Sequence, residues 1–170
     1  MRKFLAELPA PTDHGVFMAR YSEKGLAELD FPRASASRNR EGSESLPAPV
    51  RSWHRLTEAA LAAVLAGKKP RALPPLDWEG ATEFQKAVWR EMLKIPPGKT
   101  QSYGEVARAI GRPKAVRAVG SACGANPVPV LVPCHRILAA GGKIGGFGGG
   151  LQWKRELLAR EGVNPPPSAG

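Results

Sequence analysis

The sequence predicts an α/β protein in which a small N-terminal sheet-plus-helix region precedes a mostly helical region. Apolar and polar residues alternate in the return strand of the stretch 16–31, which is the period of a half-buried strand. Further along, capping-box patterns at Thr82 and Ser102 open helices. A connector at 70–77 contains three prolines and separates the two regions.

The proline-containing connector and the helix-capping patterns divide the chain into two domains and a tail. Residues 1–77 form an N-terminal α/β structural domain, in which the polar segment 32–50 is expected to be a loop or linker. Residues 78–164 form the C-terminal domain. We expect the proline-rich end, 165–170, to be a disordered tail.

The N-terminal domain is predicted to contain a β-hairpin followed by a helix. The two strands cover 16–21 and 26–31, and the turn between them ends at Gly25. Ser52 is expected to cap a helix that runs to about Ala66.

Two short helices in the C-terminal domain resemble a helix-turn-helix in their spacing. The first is predicted over 103–110 and the second over 114–122, and a Gly-Arg-Pro turn at 111–113 joins them. An ordinary αα-hairpin fits the same spacing, so spacing alone leaves both interpretations open.

Charge favours DNA as the partner of these helices. The formal net charge is +10, and basic surfaces attract polyanions, of which nucleic acid is the commonest. Lys114 and Arg117 are expected on the face of the second helix away from Val116, Val119 and Ala122. A basic surface that only confers solubility is the alternative.

Other bulk features indicate a cytoplasmic protein. No apolar run is long enough to span a membrane, and no signal-peptide pattern is present. The two cysteines, Cys123 and Cys134, could form a disulfide, but a reducing cytosol argues against it. We interpret Cys123 as a small buried apolar residue.

The run Pro-Cys-His-Arg carries the candidate chemistry. Cys134 precedes His135, and a thiol beside an imidazole is expected to lose its proton near neutral pH and act as a nucleophile. Neighbouring side chains on a strand point to opposite faces, so a contact needs a turn or a bridging water. An acid should orient the imidazole, and Glu161, Glu156 and Glu105 are candidates.

Two other kinds of site are not indicated. Seven glycines within 141–150 would let the backbone approach a ligand closely, but they match no phosphate-loop pattern. The cysteines and histidines lie at no spacing typical of zinc ligands, so we predict no metal.

One long stretch, from about Thr82 to Gly162, resembles a known family. It contains SYGEVARAIG, KAVRAVGSACGANPVPVLVPCHRIL and LLAREG, and these strings resemble the O6-alkylguanine-DNA alkyltransferases, also called methylated-DNA–protein-cysteine methyltransferases. The N-terminal half matches more loosely. The resemblance implies a ribonuclease-H-like N-terminal domain, a winged helix-turn-helix, no cofactor, and a monomer associated with the nucleoid.

The implied activity is direct-reversal repair of double-stranded DNA containing O6-alkylguanine, and of O4-alkylthymine. One alkyl group would move irreversibly to Cys134 after base flipping. His135 would act as the base through a water, and Glu161 would orient it. Asn126 would brace the bend of the active-site loop, and Tyr103 would help to rotate the nucleotide and protonate the leaving base.

The same resemblance implies contacts with DNA and with the base. Arg117 would fill the gap left by the flipped base. Lys114 and Tyr103 would also contact DNA, and the small residues that let the second helix enter the minor groove would be Ala118, Ala122 and Gly124.

The pocket for the base is implied to contain Pro129, Ile137, Phe147 and Gly148. The carbonyls of Cys134 and Ile137 would accept hydrogen bonds from the guanine amine. Gly148 stands where some members of the family carry serine, so only backbone N–H groups would bind the base there.

Two competing classes are a DNA-binding regulator whose cysteine senses alkylation or oxidation, and a cysteine hydrolase with a Cys-His-Glu triad.

Overall fold

The N-terminal part is a three-stranded antiparallel sheet covered by one helix. The structure is a computed structural model that describes residues 2–34 and 45–164. Strands β1 (Ala6–Thr12), β2 (Gly15–Ser22) and β3 (Gly25–Asp30) lie in that order. The predicted hairpin is β2–β3. Strand β1 was not predicted because it contains two prolines, which an edge strand tolerates.

Helix α1 (Ala48–Leu65) begins earlier than the sequence predicts. Its N-cap is Pro47, a residue without a capping side chain, and Ser52 lies inside the helix and does not cap it. The prediction that 32–50 is wholly loop is therefore wrong for its last three residues. The middle of that segment, 35–44, is outside the described residues.

The outer edge of β3 is covered by two segments from further along the chain. The connector pairs with it, since Leu26 N–H donates to Pro75 O (2.8 Å) and Asp77 N–H donates to Leu26 O (2.9 Å). Nearer its end, Leu29 N–H donates to Pro127 O (2.9 Å). This edge therefore ties the sheet to the loop that leads to Cys134.

The C-terminal part contains four helices: α2 (Glu83–Leu93), α3 (Tyr103–Ala109), α4 (Val116–Gly124) and α5 (Leu151–Arg160). Both predicted capping boxes are confirmed, with Thr82 and Ser102 accepting from backbone N–H groups at 3.1 Å. Helix α4 begins two residues later than predicted, because Lys114 lies in the preceding turn.

Two very short parallel strands bring the start of α3 next to the reactive run. Strand β4 (Gln101–Ser102) pairs with β5 (Ile137–Leu138), which follows the Cys-His-Arg segment directly. Buried residues of both parts form one cluster that includes Phe17, Leu29, Trp89, Val132 and Leu157. Within the described part of the chain, no helix has the length and apolar character needed to cross a bilayer.

Candidate active site around Cys134

A single 3₁₀ turn, Cys134–Arg136, presents the reactive side chains. The turn separates the directions of consecutive side chains, so Cys134 faces a cavity while His135 is fully buried. The Asn126 side chain and the backbone N–H groups of residues 134 and 135 lie near the Cys134 sulfur and lower its pKa. These donors would stabilise a developing thiolate.

The thiol itself is protonated at rest. Burial raises the pKa of Cys134, and it outweighs the hydrogen bond from Asn126 and the charge of Lys154, both of which lower that pKa. This differs from the expectation of a thiolate near neutral pH, because adjacency to a histidine does not offset burial. The nucleophile therefore requires a base at the moment of reaction.

Of the three candidate carboxylates, Glu161 is the one that contacts the imidazole. His135 Nε2 lies 2.9 Å from Glu161 Oε1, and both side chains are fully buried. Glu105 is instead engaged in the Ser102 capping box, and Glu156 accepts from Gln152 on the surface of α5.

Arg136 makes Glu161 a stable carboxylate although it lies at the C-terminal end of α5. Its Nε donates to both carboxylate oxygens at 3.1 Å, and its Nη2 donates to Oε1 at 2.7 Å. Burial alone would raise the pKa of Glu161, but the hydrogen bonds and charges of His135 and Arg136 lower it to about 2.

The state of His135 follows from this contact. A carboxylate at Nε2 accepts the Nε2 proton, which leaves Nδ1 as the basic atom of the neutral ring. Nδ1 is buried and has no hydrogen-bond partner among the described residues. Burial lowers the pKa of His135 despite the opposing effect of Glu161, so the ring is neutral and can accept a proton.

Asn126 fixes the bend before Cys134. Its Nδ2 donates to Val132 O (2.9 Å), and its Oδ1 accepts from Val128 N–H (3.0 Å). Within this bend Val130 has a φ of +73°, which is strained for a β-branched residue. The side-chain bonds of Asn126 hold the loop in this conformation.

Tyr103 lies at the first position of α3, beside the glycine-rich loop. Its hydroxyl accepts from Gly146 N–H, and a Cβ on Gly145 would lie only 3.0 Å from that oxygen. Burial, followed by the nearby thiols, raises the pKa of Tyr103, so the phenol keeps its proton.

Sequence reasoning missed Lys154, a fully buried side chain of α5. Its Nζ donates to Ile137 O (2.6 Å) and to Gly146 O (3.4 Å), which ties β5 to the glycine-rich loop. Burial lowers the pKa of Lys154 to about 8, although the two thiols raise it. The available signal was its position on the helix face that it shares with Leu157, Leu158 and Glu161.

Cys134 opens onto a cavity of about 460 Å³. The predicted pocket residues Pro129, Phe147 and Gly148 line it, but Ile137 does not. The Ile137 side chain is fully buried, and its carbonyl accepts from Lys154.

Cys123 also lines this cavity, and it packs against the core but is only half-buried, so the interpretation of a buried apolar residue holds for its packing and not for its full burial. Both cysteines are free thiols. Burial raises the pKa of Cys123 to about 12, which leaves its sulfur poorly nucleophilic.

Helix α4 presents the expected basic and small residues in part. Arg117, Ala118 and Gly124 are exposed, and so is Lys114 in the turn before the helix. Ala122 is buried, and its carbonyl accepts from Trp89 Nε1 (2.8 Å), so this residue belongs to the core face.

Two further details of α4 differ from the predicted amphipathic pattern. Val116 is 41% exposed because the helix begins there, and it does not join Val119 on the core side. Ser121 is the exposed small residue that continues the surface formed by Ala118 and Gly124. The exposed small residue is therefore Ser121, one position before the predicted Ala122.

A metal is not indicated by the side chains that the structure describes. Across 2–34 and 45–164, no group of three or more His, Cys, Asp or Glu side chains is arranged to hold a metal ion.

With this geometry established, comparison with known proteins places the chain in a family. Residues 83–163 match the model of the 6-O-methylguanine DNA methyltransferase DNA-binding domain. A methylated-DNA–protein-cysteine methyltransferase of Methanosarcina acetivorans is 39% identical over 87% of this chain and 92% of its own length. The chain belongs to the methylated-DNA–protein-cysteine methyltransferase family.

Other relatives match either part or nearly all of the chain. The enzyme of that name from Mycolicibacterium paratuberculosis is 50% identical over 64% of this chain, and the match spans 65% of that protein, slightly under two thirds. The structure of Mycobacterium tuberculosis OGT in complex with DNA aligns over 94% of both chains with a TM-score of 0.70 and 34% identity. The mixed α/β architecture is therefore shared with OGT.

Proposed function

We propose that this protein repairs alkylated DNA directly, by moving one alkyl group from guanine O6 to Cys134. The observation that carries the proposal is that Cys134 lines a cavity and is followed directly by a buried histidine that can act as a general base. Cys134 borders the 460 Å³ cavity, and the next residue, His135, is fully buried and held by Glu161. This arrangement suits a nucleophile that meets an extruded base.

The proposed chemistry is a displacement at the alkyl carbon. The Cys134 proton passes, through a water, to His135 Nδ1 as the sulfur–carbon bond forms. The carbon–O6 bond breaks, and its electron pair remains on the guanine. Tyr103 donates its proton to the departing base and later regains one from solvent. The product thioether is stable, so each molecule acts once.

DNA recognition is proposed to use the exposed face of α4. Small side chains allow close approach to the minor groove, and Ala118, Ser121 and Gly124 supply them. Arg117 would occupy the space left by the flipped nucleotide. The net charge of +10 would supply affinity that does not depend on sequence.

Several finer expectations belong to the same proposal. They are a ribonuclease-H-like N-terminal domain at 1–77, a winged helix-turn-helix within 78–164, activity on O4-alkylthymine, and a monomer that works without a cofactor. The expected location is the cytoplasm, in association with the nucleoid. Their common support is the family and its shared architecture with a DNA-bound OGT structure.

The direct test is incubation with duplex DNA that carries one O6-methylguanine, followed by intact-mass and peptide mass spectrometry. We expect one methyl group per protein molecule, on Cys134, because the reaction consumes its acceptor. The Cys134→Ala variant should bind the DNA and transfer nothing. The Cys123→Ala variant is the matched control and should still be methylated.

Three outcomes would contradict the proposal. Tight binding to unmodified DNA without transfer would favour a regulator, and repeated turnover of a small ester would favour a hydrolase. A methyl group on Cys123 would identify the wrong acceptor.

A further inference from the structure

The cavity beside Cys134 is closed on one side by the N-terminal sheet. The end of β3 and the residues that follow it, 28–33, line the cavity together with residues 147–149 of the glycine-rich loop. One wall of the cavity that Cys134 lines is therefore formed by a segment that is distant from Cys134 in the sequence.

Phe31 is the large apolar side chain of this wall, and its position is fixed on several sides. Its ring packs against Phe17 at 5.6 Å, Trp153 at 5.2 Å and Phe147 at 5.6 Å between centroids. Two residues earlier, Leu29 N–H donates to Pro127 O at 2.9 Å. A ring held in this way is a rigid boundary, since aromatic pairs in such geometries attract one another.

The glycine-rich loop is shaped to fit this ring. A Cβ added to Gly149 would lie 2.5 Å from the Phe31 ring, so either the ring or the loop would have to move. The ring thus occupies the space that a side chain at position 149 would need, and the Phe147 ring meets it edge-on at 78°. The loop and the ring together define how far the cavity extends.

We propose that Phe31 is a specificity-determining residue that limits the size of the alkyl group accepted by Cys134. The inference rests on the proposed function. The aromatic ring restricts the space beside the loop, so a smaller side chain would admit a bulkier alkyl group. A larger one would restrict the cavity to small groups. The N-terminal sheet thereby sets the substrate range of a reaction carried out by the C-terminal part.

The test compares rates on two duplexes that differ only in the lesion, O6-methylguanine or O6-benzylguanine. In Phe31→Leu the ratio of benzyl to methyl transfer should rise about tenfold, the scale on which apolar pockets discriminate small changes in size. In Phe31→Trp, which retains an aromatic ring in the cluster, the ratio should fall.

Phe17→Leu is the matched control. Phe17 belongs to the same aromatic cluster but does not line the cavity, so its replacement weakens the packing behind Phe31 and leaves the lining side chain itself in place. Its ratio should stay within about twofold of the wild type, well below the discrimination expected of a cavity wall.

The results distinguish a failure of the proposed function from a failure of the role assigned to Phe31. If the wild type transfers neither group, the proposed function fails. If the wild type transfers methyl but Phe31→Leu and Phe31→Trp leave the ratio unchanged, Phe31 does not determine specificity. An equal change in Phe17→Leu would assign the effect to general packing and would also overturn the inference.

Discussion

At the scale of single residues, the site depends on how one carboxylate is compensated. Glu161 ends α5, where the helix dipole disfavours a negative charge. Arg136 offsets this cost with three hydrogen bonds, and it is anchored in turn by Ile95 O at 2.6 Å. The consecutive residues His135 and Arg136 therefore share one partner, which fixes the imidazole ring.

Replacing Glu161 tests whether this carboxylate affects transfer to Cys134 through the His135 imidazole. In Glu161→Gln the buried Arg136 loses its counter-charge, and we expect a loss of about 3 kcal/mol in the free energy of unfolding. Transfer to Cys134 should slow, because a neutral amide stabilises the protonated imidazole less. Since Glu161 raises the pKa of His135, its removal lowers that pKa, and the acid limb of the rate profile should move to lower pH.

Glu156→Gln provides the control on the same helix. The Glu156 carboxylate is at the surface, where it accepts a hydrogen bond from Gln152. Urea unfolding and single-turnover rates between pH 5 and 8 are the measurements. A Glu161→Gln variant that is destabilised but keeps the wild-type rate and pH profile would reduce Glu161 to a structural role.

At the scale of elements, both capping boxes were predicted correctly, whereas strand β1, the cap of α1 and the start of α4 were not. The capping boxes at Thr82 and Ser102 are set by residues three apart, so the sequence alone predicts them. Strand β1 exists because β2 offers it an edge, and α1 starts at Ala48 without a capping side chain. The prolines of β1 do not indicate a strand, and the local signal for the start of α1 is Pro49 in its first turn, which the prediction of a Ser52 cap overlooked.

Helix α4 carries the next prediction, which separates DNA handling from chemistry. Arg117→Ala should slow repair in duplex DNA by about tenfold or more, because the gap left by a flipped base costs a few kcal/mol when nothing fills it. Attack on free O6-benzylguanine should change little, since no base has to be extruded. Single-turnover rates on the two substrates give the comparison.

Arg55→Ala removes the same charge from an exposed position on α1 and serves as the control. Its duplex rate should fall only slightly, through the general loss of positive charge. Equal slowing of Arg117→Ala on duplex and free base would exclude the role proposed for this arginine.

At the scale of the whole molecule, the N-terminal part contacts the site from two directions. Phe31 borders the cavity, and Gly67, just beyond α1, packs against the Arg160–Glu161 peptide. Arg160 Nη1 also donates to Leu65 O at 3.0 Å, which joins the end of α1 to the end of α5. These contacts join distant parts of the chain, so periodicity and spacing could not reveal them.

Gly67 gives the prediction at this scale. A Cβ there would lie 2.0 Å from Arg160 O, so Gly67→Ala must move the peptide that precedes the Glu161 side chain. We expect transfer to Cys134 to slow by about tenfold to a hundredfold, the cost of a misplacement near 1 Å in catalytic groups. The left-handed φ of +74° should also cost about 1 kcal/mol in the free energy of unfolding.

Gly80→Ala separates these two effects, because Gly80 has a similar φ of +86° and nothing within 4 Å of the added Cβ. Both variants should lose similar stability from backbone strain, and any further loss in Gly67→Ala comes from the displaced peptide. Only Gly67→Ala should lose rate, measured by single turnover at a temperature where both are folded. If the two variants transfer methyl groups equally fast, the end of α1 does not position Glu161, and the N-terminal part would act on the site through the cavity wall alone.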